Sequence, residues 1–148
     1  DARRMAPHVR KEDVLEVFAA RGIGPLEALE DGLRVSSLCL VGLYHGEPFT
    51  MFGITRIPFG AGVFGVVWLL GTDQIQTLST PFLRLSEFYL KFIAKGCTLV
   101  GNFVDARNMV HKRWLLWLGF RKVATIEEFG EQKLPFEEFV LDMEPSSV

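Results

Sequence analysis

Apolar positions along the chain change period twice. In KEDVLEVFAARG, Val14, Leu15, Val17 and Phe18 recur at helical spacing and Gly22 closes the run, which predicts a first helix. PLEALEDGL predicts a short second helix with Pro25 in its first turn. The pattern then becomes partly alternating: SSLCLVGLY and PFTMFGITRI, separated by HGE, predict a β-hairpin. GVFGVVWLLGT predicts a longer strand buried on both sides, with Gly65 and Gly71 marking a bulge or a close backbone approach. Helical spacing returns after STP, where Thr80 can cap and Pro81 can occupy the first turn of FLRLSEFYLKFIAKG, a helix ending at Gly96. CTLVGNFVD reads as a strand, RNMVHKRWLLWLG as a helix closed by Gly119, and RKVATIEEF with EEFVLDM as a final hairpin around Gly130 and Pro135. A further strand near Val9 stays open. Two helices, three strands, helix, strand, helix and two strands make an α/β sheet protein. The helix from Phe82 to Lys95 supplies the crossover that would set VVWLLGT and TLVGNFVD side by side and parallel.

Composition bounds this picture without changing it. With 148 residues, 49% hydrophobic and 23% charged, the chain reads as one compact domain, 1–148, and neither a disordered nor a fibrous protein. A net charge of −2 gives no general case for nucleic-acid binding. Charge is nonetheless uneven: Arg107, His111, Lys112, Arg113, Arg121 and Lys122 cluster with no acid between them, read as a solvated helix face, and carboxylates dominate from Glu127 to Glu144. Cys39 and Cys97 each sit inside an apolar run and read as buried free thiols. His8, His45 and His111 have no metal-ligand spacing, so no metal is expected. The longest apolar run is about half the roughly 20 residues a membrane span needs, and DARRMAPHVR lacks a signal peptide's apolar region, so no membrane partner is expected and the chain reads as intracellular.

The stretch NFVDARNMVHKRWLLWLGF, Asn102 to Phe120, carries a resemblance. A strand, then Val104-x-x-x-Asn108, then a helix ending in Leu118-Gly119-Phe120 resembles the last conserved segment of the Gcn5-related N-acetyltransferase superfamily. VRKEDVLEVF is similar to that superfamily's first strand and helix, YHGEPFTMFGI to its second hairpin and VVWLL to its central bulged strand, so the likeness spans nearly the whole chain. It implies the acyl-CoA N-acyltransferase fold: mixed α/β, a mainly antiparallel sheet, and a central parallel pair that splays at its C-terminal ends. More narrowly, WLLGT, FLR and DARNMVHKRWLLWLGF resemble a small family of short-tailed bacteriophages, described as acetyltransferase-like and grouped with internal virion or head-morphogenesis proteins. That likeness implies a phage origin, a host-cytoplasmic or virion-associated location and phage structural proteins as partners.

The superfamily resemblance further implies acetyl-CoA as cofactor and transfer of its acetyl group to an amine, which needs a base for the amine proton, a stabilised oxyanion and an acid for the thiolate. Trp68, Leu69 and Leu70 occupy the positions whose backbone would meet the pantetheine arm. Thr72, Ser79 and Thr80 lie where the pyrophosphate would sit, in GTDQIQTLSTPFLR. This stretch has no glycine after Gly71 and carries Asp73 and Pro81, so it departs from the superfamily's glycine loop. Asn108 can cap the last helix, contact the cofactor, or both. The position of the superfamily's Tyr acid is Leu115, and the central strand has no Glu base. His111 is the one nearby titratable substitute, either a proton-transfer residue or a surface histidine in a basic helix. Trp68, Trp114 and Trp117 read as core or groove-lining bulk. Three functions stay open: an acetyl-CoA-dependent N-acetyltransferase with a degenerate phosphate loop, a non-catalytic virion or head-assembly protein that keeps the fold as a binding scaffold, or a small host-directed binder.

Overall fold

The computed structural model describes residues 1–143, the side chain of Ser79 excepted, so Glu144 of the acidic stretch lies outside the described residues. The chain opens with α1 (Ala2–Met5) and a 3-10 turn (Ala6–His8); where a strand was open near Val9, a single bridge joins Val9 to Thr72. α2 (Lys11–Arg21) stops at Gly22, whose φ of 68° suits glycine and whose N–H reaches the Phe18 carbonyl. The apolar residues that mark this helix in the sequence are not all on its buried face. Asp13, Glu16 and Ala19 point inward, while Leu15 and Phe18 are 42% and 48% exposed. α3 (Pro25–Val35) carries Pro25 in its first turn and buries Ala28, Leu29 and Gly32. A Cβ on Gly32 would come within 2.5–2.9 Å of the Trp68 indole, so the glycine lets this helix lie close against the sheet.

β1 (Leu38–Tyr44) and β2 (Glu47–Phe59) form the expected hairpin, turning through His45 and Gly46 at φ 50° and 78°. β3 (Gly62–Gly71) pairs with β2 in unbroken register from Phe59 opposite Gly62 to Thr50 opposite Gly71. Gly65 therefore marks a close approach rather than a bulge: a Cβ there would meet Ile54 Cδ1 at 2.6 Å and Cys97 Sγ at 3.0 Å. The chain returns through α4 (Gln74–Thr77) and α5 (Ser79–Ile93) to β4 (Leu99–Asp105), then α6 (Met109–Trp117), β5 (Arg121–Phe129) and β6 (Leu134–Asp142). Thr80 is not the cap of α5. The turn of α4 runs straight into α5, Leu78 takes the N-cap position with no side-chain cap, and Thr80 falls within the first helical turn.

The six strands lie in the order β1-β2-β3-β4-β6-β5, all antiparallel except β3 and β4. That parallel pair is short: Phe64, Gly65 and Val66 face Leu99, Val100 and Gly101, and beyond them no pairing continues. The strands splay at their C-terminal ends, as expected. One sheet face packs Ile54, Val67, Val100, Val104 and Phe139 under Leu90, Ile93 and Leu115 of α5 and α6. The other packs Met51 and Leu70 against Met5, Ala28 and Leu29. Cys97 is buried and Cys39 half-buried, both free. No helix among the described residues is long and apolar enough to cross a membrane.

The basic cluster is not a bare solvated face. Arg107 pairs with Asp105 at 2.7 Å, Lys112 and Lys122 each grip Glu137 at 2.7 Å, and Arg121 meets Asp142 at 3.3 Å. Glu137 and Asp142 lie on β6, so Lys112, Arg121 and Lys122 find their partners on another element, while Arg107 finds its own two residues away at the end of β4.

Candidate functional site

Where β3 and β4 part, backbone groups at the strand ends lose their ladder partners and need others. α2 supplies them. Asp13 Oδ2 accepts the Gly71 N–H at 3.1 Å and Glu16 Oε1 accepts the Asp105 N–H at 2.9 Å, so two carboxylates three residues apart on one helix face bridge the mouth of the splay. α6 closes the arrangement from the far side. Asn108 Oδ1 accepts the His111 N–H at 3.3 Å, which makes Asn108 the N-cap. Its Nδ2 donates to Asp13 Oδ1 at 3.0 Å and to Glu16 Oε1 at 3.4 Å. Arg10 donates to Asp13 Oδ1 at 3.1 Å.

His111 is buried, not on a surface face, with 5% of its area exposed. Its Nε2 lies 3.1 Å from Asn102 Nδ2, and its Nδ1 lies 3.4 Å from Glu16 Oε2, within ion-pair reach but off the line of a good hydrogen bond. Burial by itself would lower the imidazole pKa; the carboxylates of Glu16 and Asp13 outweigh it and hold the pKa above its ordinary value of 6.5. Burial also pushes the Asp13 carboxyl up, against the pull of Arg10 and His111. The result is a histidine backed by a carboxylate in a low-dielectric setting, the arrangement that lets an imidazole accept a proton and stay oriented.

Asp13, Glu16 and His111 also bring ligand-type atoms within 4.8 Å of one another, a grouping that residue spacing along the chain hid. Both Asp13 oxygens and Glu16 Oε1 are already engaged by Arg10, Asn108 and backbone N–H groups, so the cluster fits a shared proton better than a metal ion.

Two clefts open on the splay from opposite sheet faces. A cleft of about 430 Å³ on the α5 and α6 side is walled by Leu69, Ile75, Phe82, Trp114 and Trp117, with Arg10, Asp13 and His111 at its floor and Arg113 on its wall. A cleft of about 340 Å³ on the α2 and α3 side is walled by Trp68, Leu69, Leu70, Glu16, Asn102 and His111. Leu69 and His111 line both. Of the sequence candidates, then, Leu69 and His111 line both clefts, Trp68 and Leu70 line the smaller one, and Asn108 joins His111 through its cap without lining either. Trp68 gives its Nε1–H to Ser36 Oγ at 2.7 Å, and Leu70 packs into the α3-side core.

Neither Thr72 nor Thr80, the two phosphate-site candidates whose side chains are described, lies in the larger cleft. Thr72 is buried, its Oγ1 taken by the Gln74 N–H at 3.2 Å, and Thr80 is exposed; the side chain of Ser79 is not described. The N–H groups of Ile75, Gln76 and Leu78 point to the carbonyls of Thr72, Asp73 and Gln74, so α4 uses internally the donors that a glycine loop would aim at a ligand. Sequence reasoning missed Asp13 and Glu16. Their signal was a D-x-x-E pair matched by N-x-x-H at Asn108 and His111, each pair on one helix face, but only the fold sets the two faces opposite each other.

No family model matches this chain, and no curated protein matches it. Solved structures do. yncA of Salmonella typhimurium, solved with its cofactor acetyl-CoA, matches at TM-score 0.65 and 15% identity, over 100% of this chain and 93% of that one. The Bacillus subtilis acetyltransferase in complex with CoA matches at TM-score 0.64 and 11% identity, over 90% and 93%. An acetyltransferase of the GNAT family from Streptococcus pneumoniae matches at TM-score 0.58 and 12% identity, over 82% and 75%. At such identities the likeness shows the fold: a mixed α/β sheet with one parallel pair, as in the Gcn5-related acetyltransferases.

Proposed function

We propose that this protein transfers an acyl group from an acyl-CoA thioester, of which acetyl-CoA is the simplest, to an amine. The observation that carries this reading is the meeting of two clefts from opposite faces of the sheet at Leu69 and His111, in the gap between the splayed strands. Such a junction lets donor and acceptor enter separately and converge on one proton-accepting group. The fold neighbours solved with CoA or acetyl-CoA support the choice of donor.

The amine nitrogen attacks the thioester carbonyl carbon, the C–N bond forms as the C–S bond breaks, and the amine proton passes to His111 Nε2 as that nitrogen gives up its contact with Asn102 Nδ2. Glu16, 3.4 Å from Nδ1, steadies the imidazolium. Leu115, fully buried where the superfamily places its acid, has no proton to give, so the departing thiolate takes its proton from water. The apolar walls of the larger cleft fit a pantetheine arm, and Arg113 is the cation on its wall. The helical α4 does not fit a phosphate cradle, and acetyl-CoA should therefore bind more weakly than an intact glycine loop allows.

The test pairs calorimetry with a thiol-release assay on acetyl-CoA and a panel of amines. Heat of binding and turnover are expected, with turnover lost and binding kept in His111→Ala. Neither heat nor a thermal shift at millimolar acetyl-CoA would remove the donor from the account.

A second reading has one observation in its favour. The same helical α4, together with the narrower sequence likeness, supports a non-catalytic protein of a short-tailed phage that keeps the fold to bind virion or head-assembly components in the host cytoplasm. Binding of acetyl-CoA without turnover on any amine, and co-sedimentation with particle proteins, would decide for it.

A further inference from the structure

The two clefts leave one cavity without a role. Between α5 and the sheet lies a space of about 310 Å³, walled by Leu40, Phe52, Leu85, Tyr89, Leu90 and Leu118 among others, with no charged side chain. Protein interiors pack as densely as organic crystals and tolerate few voids larger than a water molecule. An apolar cavity of about 150 Å³ already binds a benzene-sized ligand, and this one is about twice that size.

Its position ties it to the reaction centre. Leu69 lines this cavity and both clefts, Phe82 and Trp114 line it and the larger cleft, and Asn102 lines it and the smaller one. Leu69 thus stands at the boundary of all three spaces. The stacked rings of Phe82 and Trp114, centroids 6.1 Å apart, stand between the cavity and the larger cleft, and Leu43 and Leu85 stand at its outer end, 57% and 54% exposed.

Three polar side chains of its wall are paired within the protein, which leaves the Tyr89 hydroxyl, on a partly exposed ring, as a polar group at its edge. Ser86 Oγ donates to the Leu83 carbonyl at 2.8 Å and accepts the Trp114 Nε1–H at 3.0 Å, Thr50 Oγ1 donates to the Leu70 carbonyl at 3.1 Å, and Asn102 Nδ2 meets His111. A polar or carboxylate-bearing guest would find few partners here and would lose its own hydration. A hydrocarbon chain needs none.

We infer that this cavity takes the tail of a medium-chain acyl group, so that the donor is an acyl-CoA with a chain longer than acetyl. The inference rests on the acyl-transfer reading above and assigns its substrate class. The thioester lies at the junction beside Leu69, the CoA arm leaves through the larger cleft, and the acyl tail runs under α5 toward Leu85.

The experiment is calorimetry on the intact protein with acetyl-, butanoyl-, hexanoyl- and octanoyl-CoA, with thiol release measured on the same set. Each two carbons added should tighten binding roughly tenfold until the cavity is full. Leu40→Phe, which puts a ring into the cavity, should cancel that gain for octanoyl-CoA and leave acetyl-CoA binding unchanged. Leu85→Trp, at the half-exposed outer end where a larger side chain does not disturb the fold, should shorten the longest chain accepted. Affinity that is flat or falls with chain length while acetyl-CoA is bound and turned over overturns this inference and leaves the acyl-transfer reading standing. Undiminished octanoyl-CoA binding in both variants also overturns it. Binding of none of the four thioesters overturns both.

Discussion

Replacing Asn108 with Ala tests the polar cluster at its most connected point. The side chain is 1% exposed and makes three contacts: the helix cap to the His111 N–H, and donations to Asp13 and Glu16. Loss of an N-cap costs about 1 kcal/mol. A hydrogen bond to a charged group is worth about 1.5–3 kcal/mol, but the 3.4 Å contact to Glu16 is long and Asp13 keeps Arg10 and the Gly71 N–H, so the two donations together contribute about 2 kcal/mol. The sum is about 3 kcal/mol, or roughly 10 °C in Tm for a domain of this size. Urea unfolding should show the loss as a lower midpoint with an unchanged slope. Asn108→Asp separates the cap from the cluster. Aspartate caps as well as asparagine does, but it sets a third carboxylate against Asp13 and Glu16. It should therefore be less stable than Asn108→Ala at pH 7. A carboxyl so placed has its folded pKa raised above the ordinary value of about 3.9, so its penalty is full above the folded pKa and fades as pH falls toward the unfolded one. If Asn108→Asp is as stable as the parent at pH 7, Asp13 and Glu16 do not share a charged cluster with position 108, and the electrostatic account of the site is wrong.

His111, held above its ordinary pKa by Glu16 and Asp13, should stabilise the fold fully below about pH 6.5 and lose that contribution as pH rises through its folded pKa; Glu16→Gln should lower the pKa read by NMR titration of the imidazole. Glu137, whose burial is outweighed by Lys112 and Lys122 so that its carboxyl sits below the usual range, acts in the opposite sense: its contribution is present above the unfolded pKa and lost as pH falls, and in Glu137→Gln the acid limb of stability against pH should flatten. Arg56 donates to the carbonyls of Ile93 and Lys95 at 2.7 and 3.2 Å and so fastens the C-terminal end of α5; Arg56→Ala should cost about 1–2 kcal/mol in chemical denaturation. At Gly130, φ is 72° and a Cβ would stand 2.6 Å from the Ala20 Cα and carbonyl, so Gly130→Ala should cost more than the roughly 1 kcal/mol of backbone strain alone and should loosen the β5–β6 turn from α2, seen as faster amide exchange at Glu131 and Gln132.

Local rules written in the sequence determined much of the scaffold. Gly22 and Gly119 end their helices, Pro25 opens one, His45 and Gly46 turn the first hairpin, and the length of the Phe82–Lys95 helix makes β3 and β4 a parallel pair. Each of these depends on neighbours within a few residues, or on a connection length, and needs no knowledge of the rest of the molecule. The site depended on distance. Asp13 lies 95 positions from Asn108, and Asn102 meets His111 only because α6 doubles back on β4. α2 shows the limit most plainly: its apolar spacing identified a helix, yet the splayed strand ends at Gly71 and Asp105 need hydrogen-bond acceptors, and that demand turns Asp13 and Glu16 inward and leaves Leu15 and Phe18 in water. The tertiary structure likewise decided that His111 is buried and that Lys112 and Lys122 are neutralised by Glu137, because those partners are set by which elements lie side by side and not by which residues are adjacent in the chain.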